Sequence, residues 1–216
     1  LFDKDFDIKI KNNIVYVGYN LRFHPIIETI KKAIHLKKLW NIQVYCGSYL
    51  PEWRPERDYR LSYSSKNELG GGVLLDLSHE LDYLNWFLGD LEIKNIVNTK
   101  ISDLEITSDD FLLFSATSKK CPYIHVSLNY FSRIPLRQII IDGENISIKA
   151  DLISNTCVIH ENNKRNEQRL STHDRNTTYL LQHKSILKNN NSKACSYDEG
   201  LQVMENINLI RSQQNL

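Results

Sequence analysis

Residues 70–89 read GGGVLLDLSHELDYLNWFLG, a triple glycine followed by apolar residues at helical spacing. Consecutive glycines carry no side chain to pack, so they mark a turn where the backbone passes close to another group. At about 100° per residue, Val73, Leu74, Leu77, Leu81, Leu84 and Leu88 fall in one arc and require a core to bury them. Asp76, His79 and Asp82 fan across the other side of this helix, and Tyr83 and Trp86 lie among them. Aromatics mixed with charge point to a partly enclosed cleft. The fold must let one helix anchor a core and line a pocket.

The rest of the chain supplies a sheet for that core. Alternation and β-branched content predict strands over residues 14–19, 40–49, near 93–101, 111–117, 123–131, 136–141, 145–150 and 152–160. Asp142 and Gly143 are expected to turn the chain between the sixth and seventh of these. In the 123–131 strand, Ile124, Val126, Leu128 and Tyr130 should pack on helices, while Tyr123, His125, Ser127, Asn129 and Phe131 form a mixed outer face. Pro25 opens a helix to about residue 36, with His24 capping or packing its start and Ile26, Ile27, Ile30, Ala33 and Ile34 on its apolar side. Helices over about 179–187 and 196–212 close the chain, joined by a loop at 188–194. Ser196 and Glu199 form a capping-box pattern for the last helix, whose core side is read as Leu201, Met204, Ile207 and Ile210. Residues 50–69 are charged, rich in aromatics and aperiodic, which suits a connection that covers a site. The expected fold class is α/β (α+β): a large, predominantly antiparallel sheet with flanking helices, in a single domain over residues 1–216.

Charge and cysteine usage narrow the function. Lys and Arg number 27 against 26 Asp and Glu, a balance that argues against nucleic acid or an anionic membrane as partner. Lys31, Lys32, Lys37 and Lys38 read as a solvated helix end. No apolar run reaches the length of a membrane span and no secretory signal opens the chain, so a cytoplasmic location is expected. Cys46, Cys121, Cys157 and Cys195 lack C-x-x-C spacing and are expected to be free thiols.

Asp76 and His79, at i and i+3, can meet on a helix. Histidine titrates near neutrality and a neighbouring carboxylate orients it and raises its pKa. His79 is thus the acid/base candidate, and Asp76 its partner or an acceptor from a substrate hydroxyl. A plainer reading has the pair cap the helix and satisfy buried amides. A metal site from Asp76, His79, Glu80 and Asp82 is disfavoured because these side chains diverge around a helix. Asp82 lies further round and is expected to hold the helix or a nearby arginine.

The run GGGVLLD, followed by His79, Asp82, an aromatic and Gly89, resembles the signature of the C-terminal domain of the glucose-fructose oxidoreductase/inositol dehydrogenase/rhizopine-catabolism (Gfo/Idh/MocA) family. GYNLRFHP at 18–25, WRPERDYR at 53–60 and SYDEGLQVMENINLIRS at 196–212 resemble further parts of that domain. The resemblance implies a GAPDH-like C-terminal fold and a parent enzyme that exchanges hydride between NAD or NADP and a sugar, sugar nucleotide or polyol. It maps the family's active-site aspartate and histidine onto Asp76 and His79, although this chain has three steps between them where many members have four. It also implies an N-terminal Rossmann domain as partner, absent from this chain, which would hold the cofactor and contribute a catalytic lysine upstream of Leu1. No G-x-G-x-x-G occurs here, so no cofactor is expected to bind this chain alone. Forked guanidinium groups and stacking aromatics suit hydroxyl-rich or phosphate-bearing sugars, making Asn20, Arg22, Trp53, Tyr59 and Arg60 the candidate substrate contacts. A homo-oligomer through the outer sheet face is expected. The competing reading is a catalytically inert carbohydrate-binding or assembly module on the same fold.

Overall fold

Pro25 fixes the first turn of α1 (Pro25–Ala33), and the His24 ring caps it by accepting from the Ile26 amide through Nδ1 at 3.2 Å. The computed structural model describes residues 14–169, 176–188 and 191–213. Ile26, Ile27 and Ile30 are at most 1 % exposed, each contributing about 1.5–3 kcal/mol on burial. The helix ends before residue 36, where Leu36 takes φ 61° and projects into solvent. Lys31 is not part of a solvated end: its ammonium lies 4.1 Å from the centre of the Trp86 ring and donates to the Trp86 carbonyl.

Ten strands lie among the described residues: the eight expected, in order and with shifted ends, and two that were not expected, Lys164–Arg169 and Cys195–Ser196. They are β1 (Tyr16–Val17), β2 (Leu39–Gly47), β3 (Glu92–Thr99), β4 (Phe111–Thr117), β5 (Tyr123–Asn129), β6 (Leu136–Gly143), β7 (Ile146–Asp151), β8 (Thr156–Glu161), β9 (Lys164–Arg169) and β10 (Cys195–Ser196). Eight form one sheet in the order β3-β4-β5-β2-β6-β7-β8-β9, in which only the central β2–β5 ladder is parallel. The register places Val44 opposite Val126 and Ile139. These side chains, with Ile124, Leu128 and Ile141, form the buried face. Gln43, Leu113, Tyr123 and His125 stand exposed on the other. β1 is much shorter than the strand read over 14–19 and pairs with β10 in a separate ladder. The turn between β6 and β7 falls on Glu144 and Asn145, with Asn145 at φ 59°. Gly143 is instead the last strand residue, where a Cβ would come within 2.7 Å of the Lys38 carbonyl oxygen.

The segment after the glycines is two helices: α2 (Val73–Asp76) and α3 (His79–Leu88). All six residues of the anticipated stripe are buried. α4 (Thr177–Leu187) and α5 (Tyr197–Ser212) complete the fold, and the capping box between Ser196 and Glu199 is formed in both directions. On α5, Val203 takes the core place read for Leu201, alongside Ile207 and Ile210. Gly200 lies on Val17, so the helix rolls that stripe inward and leaves Leu201 45 % exposed. Residues 189–190 of the loop before it lie outside those described. Among the described residues no helix is long and apolar enough to cross a membrane, and the four cysteines are free and buried.

Candidate active site

The glycine turn is a close approach of the chain to itself. At Gly71 a Cβ would lie 2.1 Å from the Tyr63 carbonyl oxygen, and at Gly72 (φ +115°) it would lie 2.1 Å from Asp109 Oδ1. Asp109 also closes the start of α2, its carbonyl accepting from the Val73 amide and its Oδ2 from the Leu74 amide, both at 3.0 Å. A dinucleotide pyrophosphate needs those amides free. These glycines therefore do not fit a cofactor cradle; they let α2 enter between the 63–64 backbone and Asp109.

That entry sets Asp76 and His79 on the wall of a cavity of about 1140 Å³, shared with Asn20, Trp53 and Tyr59. The Tyr130 hydroxyl donates to Asp76 Oδ2 at 2.7 Å. Burial, reinforced by the Asp76 charge, holds the Tyr130 proton far above the usual phenol range. Tyr63, also on the wall, is raised by the same two causes in the same order. Trp53 stacks edge-on against Tyr130 at 5.2 Å and donates from Nε1 to Ser48 at 2.7 Å. Tyr59 is held by the Glu105 amide donating to its hydroxyl at 3.1 Å, and Asn20 donates to Thr178 Oγ1 at 2.6 Å.

His79 differs from its expected state. The chain breaks between α2 and α3 at Leu77 (φ −105°, ψ 23°), and no hydrogen bond joins Asp76 to His79. The ring packs edge-on against Tyr19 at 5.4 Å, and Nδ1 is enclosed with no hydrogen-bond partner. Burial, with Arg137 adding to it, pushes the pKa down to about 3 rather than up. The imidazole is consequently neutral at physiological pH. Arg137, on the same cavity wall, forks onto the wholly buried Glu80 through Nε–Oε1 at 2.6 Å and a second contact at 2.9 Å. Burial opposes that guanidinium's charge, but Glu80 outweighs it and raises the pKa.

Arg22 and Arg60 do not line the cavity. Arg22, 1 % exposed, directs Nε and an NH2 nitrogen to Asp82 at 2.8–3.1 Å and its other arm to Glu199 at 2.9 Å. Arg60 forks onto Asp58 at the surface and reaches Glu105 at 3.4 Å. Sequence reading missed Tyr130, Arg137 and Glu80. Tyr130 was detectable, since it directly follows β5 on the side of its buried residues and a buried tyrosine hydroxyl needs a partner. Arg137 and Glu80 gave no such signal, because their pairing joins positions 57 residues apart.

A second, more apolar cavity of about 620 Å³ lies against α5, lined by Leu201, Met204 and Ile207, and shares Asp76 and Tyr63 with the first. No group of three or more His, Cys, Asp or Glu among the described residues is placed to hold a metal ion.

Comparison with known proteins bears on this arrangement. The family described as oxidoreductase family, C-terminal alpha/beta domain, matches residues 31–215. Levoglucosan dehydrogenase of Pseudarthrobacter phenanthrenivorans is 29 % identical over 92 residues, which cover 42 % of this chain and 24 % of that protein. A solved levoglucosan dehydrogenase in complex with NADH and levoglucosan superposes with TM-score 0.78 at 14 % identity, covering 96 % of this chain and 66 % of that one. UDP-N-acetylglucosamine 3-dehydrogenase from Acidithiobacillus ferrooxidans gives TM-score 0.71 at 16 % identity, covering 92 % of this chain and 61 % of that one. The chain thus spans about a quarter of the curated relative and less than two thirds of either solved chain.

Proposed function

The chain belongs to the Gfo/Idh/MocA oxidoreductase family through its C-terminal α/β domain, and from that premise we propose that it is the substrate-binding part of an NAD(P)-dependent enzyme that oxidises or reduces a sugar, sugar nucleotide or polyol. The observation that carries this reading is the convergence of Asp76, His79, Asn20, Trp53 and Tyr59, drawn from four separate segments, on one cavity. The named relatives act on carbohydrate, which agrees with it. A dinucleotide bound by a Rossmann domain of the same protein would supply the hydride chemistry; the residues of this chain hold the sugar and manage its proton. Trp53 and Tyr59 give flat faces for a pyranose, and Asn20 gives an amide to its hydroxyls. Asp76, steadied by Tyr130, accepts from the hydroxyl of the reacting carbon. His79 is neutral and its Nδ1 is enclosed, so Nε2 is left to take that hydroxyl's proton as hydride departs, and to return it in reduction.

The low basicity of His79 favours one further reading, in which the fold is an inert carbohydrate-binding or assembly module. Asp76→Ala and His79→Ala in the full-length protein separate the two. Each is expected to lower turnover by about 10²-fold or more with an unchanged melting temperature. Turnover that survives both substitutions establishes the inert module. Titration of NADH and NADPH against this chain, and against the protein extended upstream, is expected to give binding only to the extended form. The exposed sheet face carrying Leu113 and Tyr123 is where we place a homodimer contact in a cytoplasmic enzyme; a monomer by sedimentation at high concentration removes that assignment.

A further inference from the structure

The charges lining the large cavity do not cancel. Five ionised side chains other than histidine stand on its wall: Arg54, Arg57, Arg137, Asp58 and Asp76. Arg137 is matched by Glu80 and Asp58 by Arg60, each through a forked pair. His79 contributes no charge. Arg54, Arg57 and Asp76 are left. The two arginines are exposed and form no ion pair among the described residues. Glu52 and Glu56 of the same loop lie outside the cavity lining and pair with neither. The Arg57 amide bonds the Arg54 carbonyl at 2.9 Å, so one tight turn carries both residues, which are exposed and line the cavity at its solvent side. Trp53, immediately before them, is pinned to Ser48 and Tyr130, which fixes the base of that turn. The cavity therefore has a hydroxyl-accepting interior at Asp76 and His79 and an unmatched cationic mouth.

We propose that the substrate is a sugar bearing an anionic group, phosphate or carboxylate, held at the cavity mouth by Arg54 and Arg57 while its reacting hydroxyl reaches Asp76 and His79. This rests on the oxidoreductase reading only for which end reacts. Two guanidiniums on one turn match the oxygens of a phosphate or carboxylate bidentately. An uncharged hexose leaves them in water and gains nothing from them.

The test measures affinity of the full-length protein for glucose, glucuronate, glucose 6-phosphate and UDP-glucose by calorimetry, and oxidation of each with NAD⁺ and NADP⁺. At least one anionic probe is expected to bind about tenfold or more tightly than glucose, and the leading probe identifies carboxylate, monophosphate or diphosphate. The Arg54→Ala/Arg57→Ala variant is expected to bring that ratio close to one. If its melting temperature falls, Arg54→Gln/Arg57→Gln removes the charge while keeping side-chain length. Equal affinity for all four probes, or a ratio that persists in both double variants, overturns the proposal. A clear anionic preference with no oxidation of any probe leaves the anion site standing and defeats the dehydrogenase reading. Oxidation of glucose with the same KM as the anionic probes does the reverse.

Discussion

Asp82 and His79 stand three residues apart on α3, yet their surroundings are opposite. Asp82 is 0 % exposed and receives both forks of Arg22, which in turn reaches Glu199, itself closing the capping box of α5. Each charge there has its partner inside the protein. His79 has an enclosed Nδ1 with none, and the neighbouring Asp76, bonded by the hydroxyls of Tyr130 and Tyr63, lines a cavity. Buried polar groups are almost always satisfied; in the incomplete cluster the enclosed Nδ1 is an exception, and Asp76 stands on the cavity wall where we propose that the substrate binds. The complete one ties the 3-10 turn at Asn20–Phe23 to α3 and α5 and holds the wall still.

The largest expected effect comes from breaking the complete cluster. Asp82→Ala leaves Arg22 buried without its main counter-charge, and loss of one partner of a buried pair costs about 3–5 kcal/mol. Denaturant unfolding checks this. Arg22→Met/Asp82→Leu removes both charges at similar volume and is expected to recover most of the loss. A double variant as unstable as the single would mean that the cluster stabilises through more than the matching of charge.

The incomplete cluster is expected to show itself as pH dependence. His79 is held neutral, with its pKa near 3 in the fold against 6.5 for an unperturbed imidazole. Between these values the unfolded chain binds a proton that the folded chain refuses, so stability rises with pH. The slope is at most ~1.4 kcal/mol per pH unit and flattens above 6.5. Asp82, which burial pushes up to about 6 against the pull of Arg22, contributes the opposite slope between its ordinary value and 6. The comparison is accordingly between the wild type and His79→Asn. Their difference in unfolding free energy should grow in favour of the wild type from pH 3 to 6.5. A difference independent of pH would show that His79 carries its charge in the fold.

How much of this was readable in the sequence follows from the range of the interactions. The stripe of Val73 to Leu88, the Pro25 start of α1, the Ser196 cap and the buried face of β5 are local periodicities or local hydrogen bonds, and each appears in the fold. Asp109 filling the space at Gly72 is a contact between residues 37 apart, and only the need for a close approach was legible, not its partner. The break at Leu77 is a tertiary override: a strong helical pattern gives way where Asp76 turns to Tyr130 and the following residues turn to Tyr19 and Arg22. Arg22 and Arg60 carry the residue type that suits a sugar site, but a guanidinium's role depends on which carboxylate reaches it first. For both, that choice is made by the fold.

Arg60 supplies the smallest effect and the sharpest control. Its fork onto Asp58, with Nε at 2.9–3.0 Å and an NH2 contact at 2.8 Å, repeats the Arg22–Asp82 geometry almost atom for atom. Only the surroundings differ: Arg22 is 1 % exposed and the Arg60 side chain 50 %. In solvent the two groups keep most of their hydration, and the gain from pairing is offset by side-chain ordering and salt screening. Arg60→Ala is therefore expected to leave the denaturation midpoint unchanged within error, where Asp82→Ala moves it strongly. Arg60→Ala also frees Asp58 on the cavity wall, so the KM for the preferred anionic sugar is expected to rise, by less than in the Arg54/Arg57 double variants. An unchanged KM in Arg60→Ala would show that the Asp58 charge does not act on the anion held by Arg54 and Arg57.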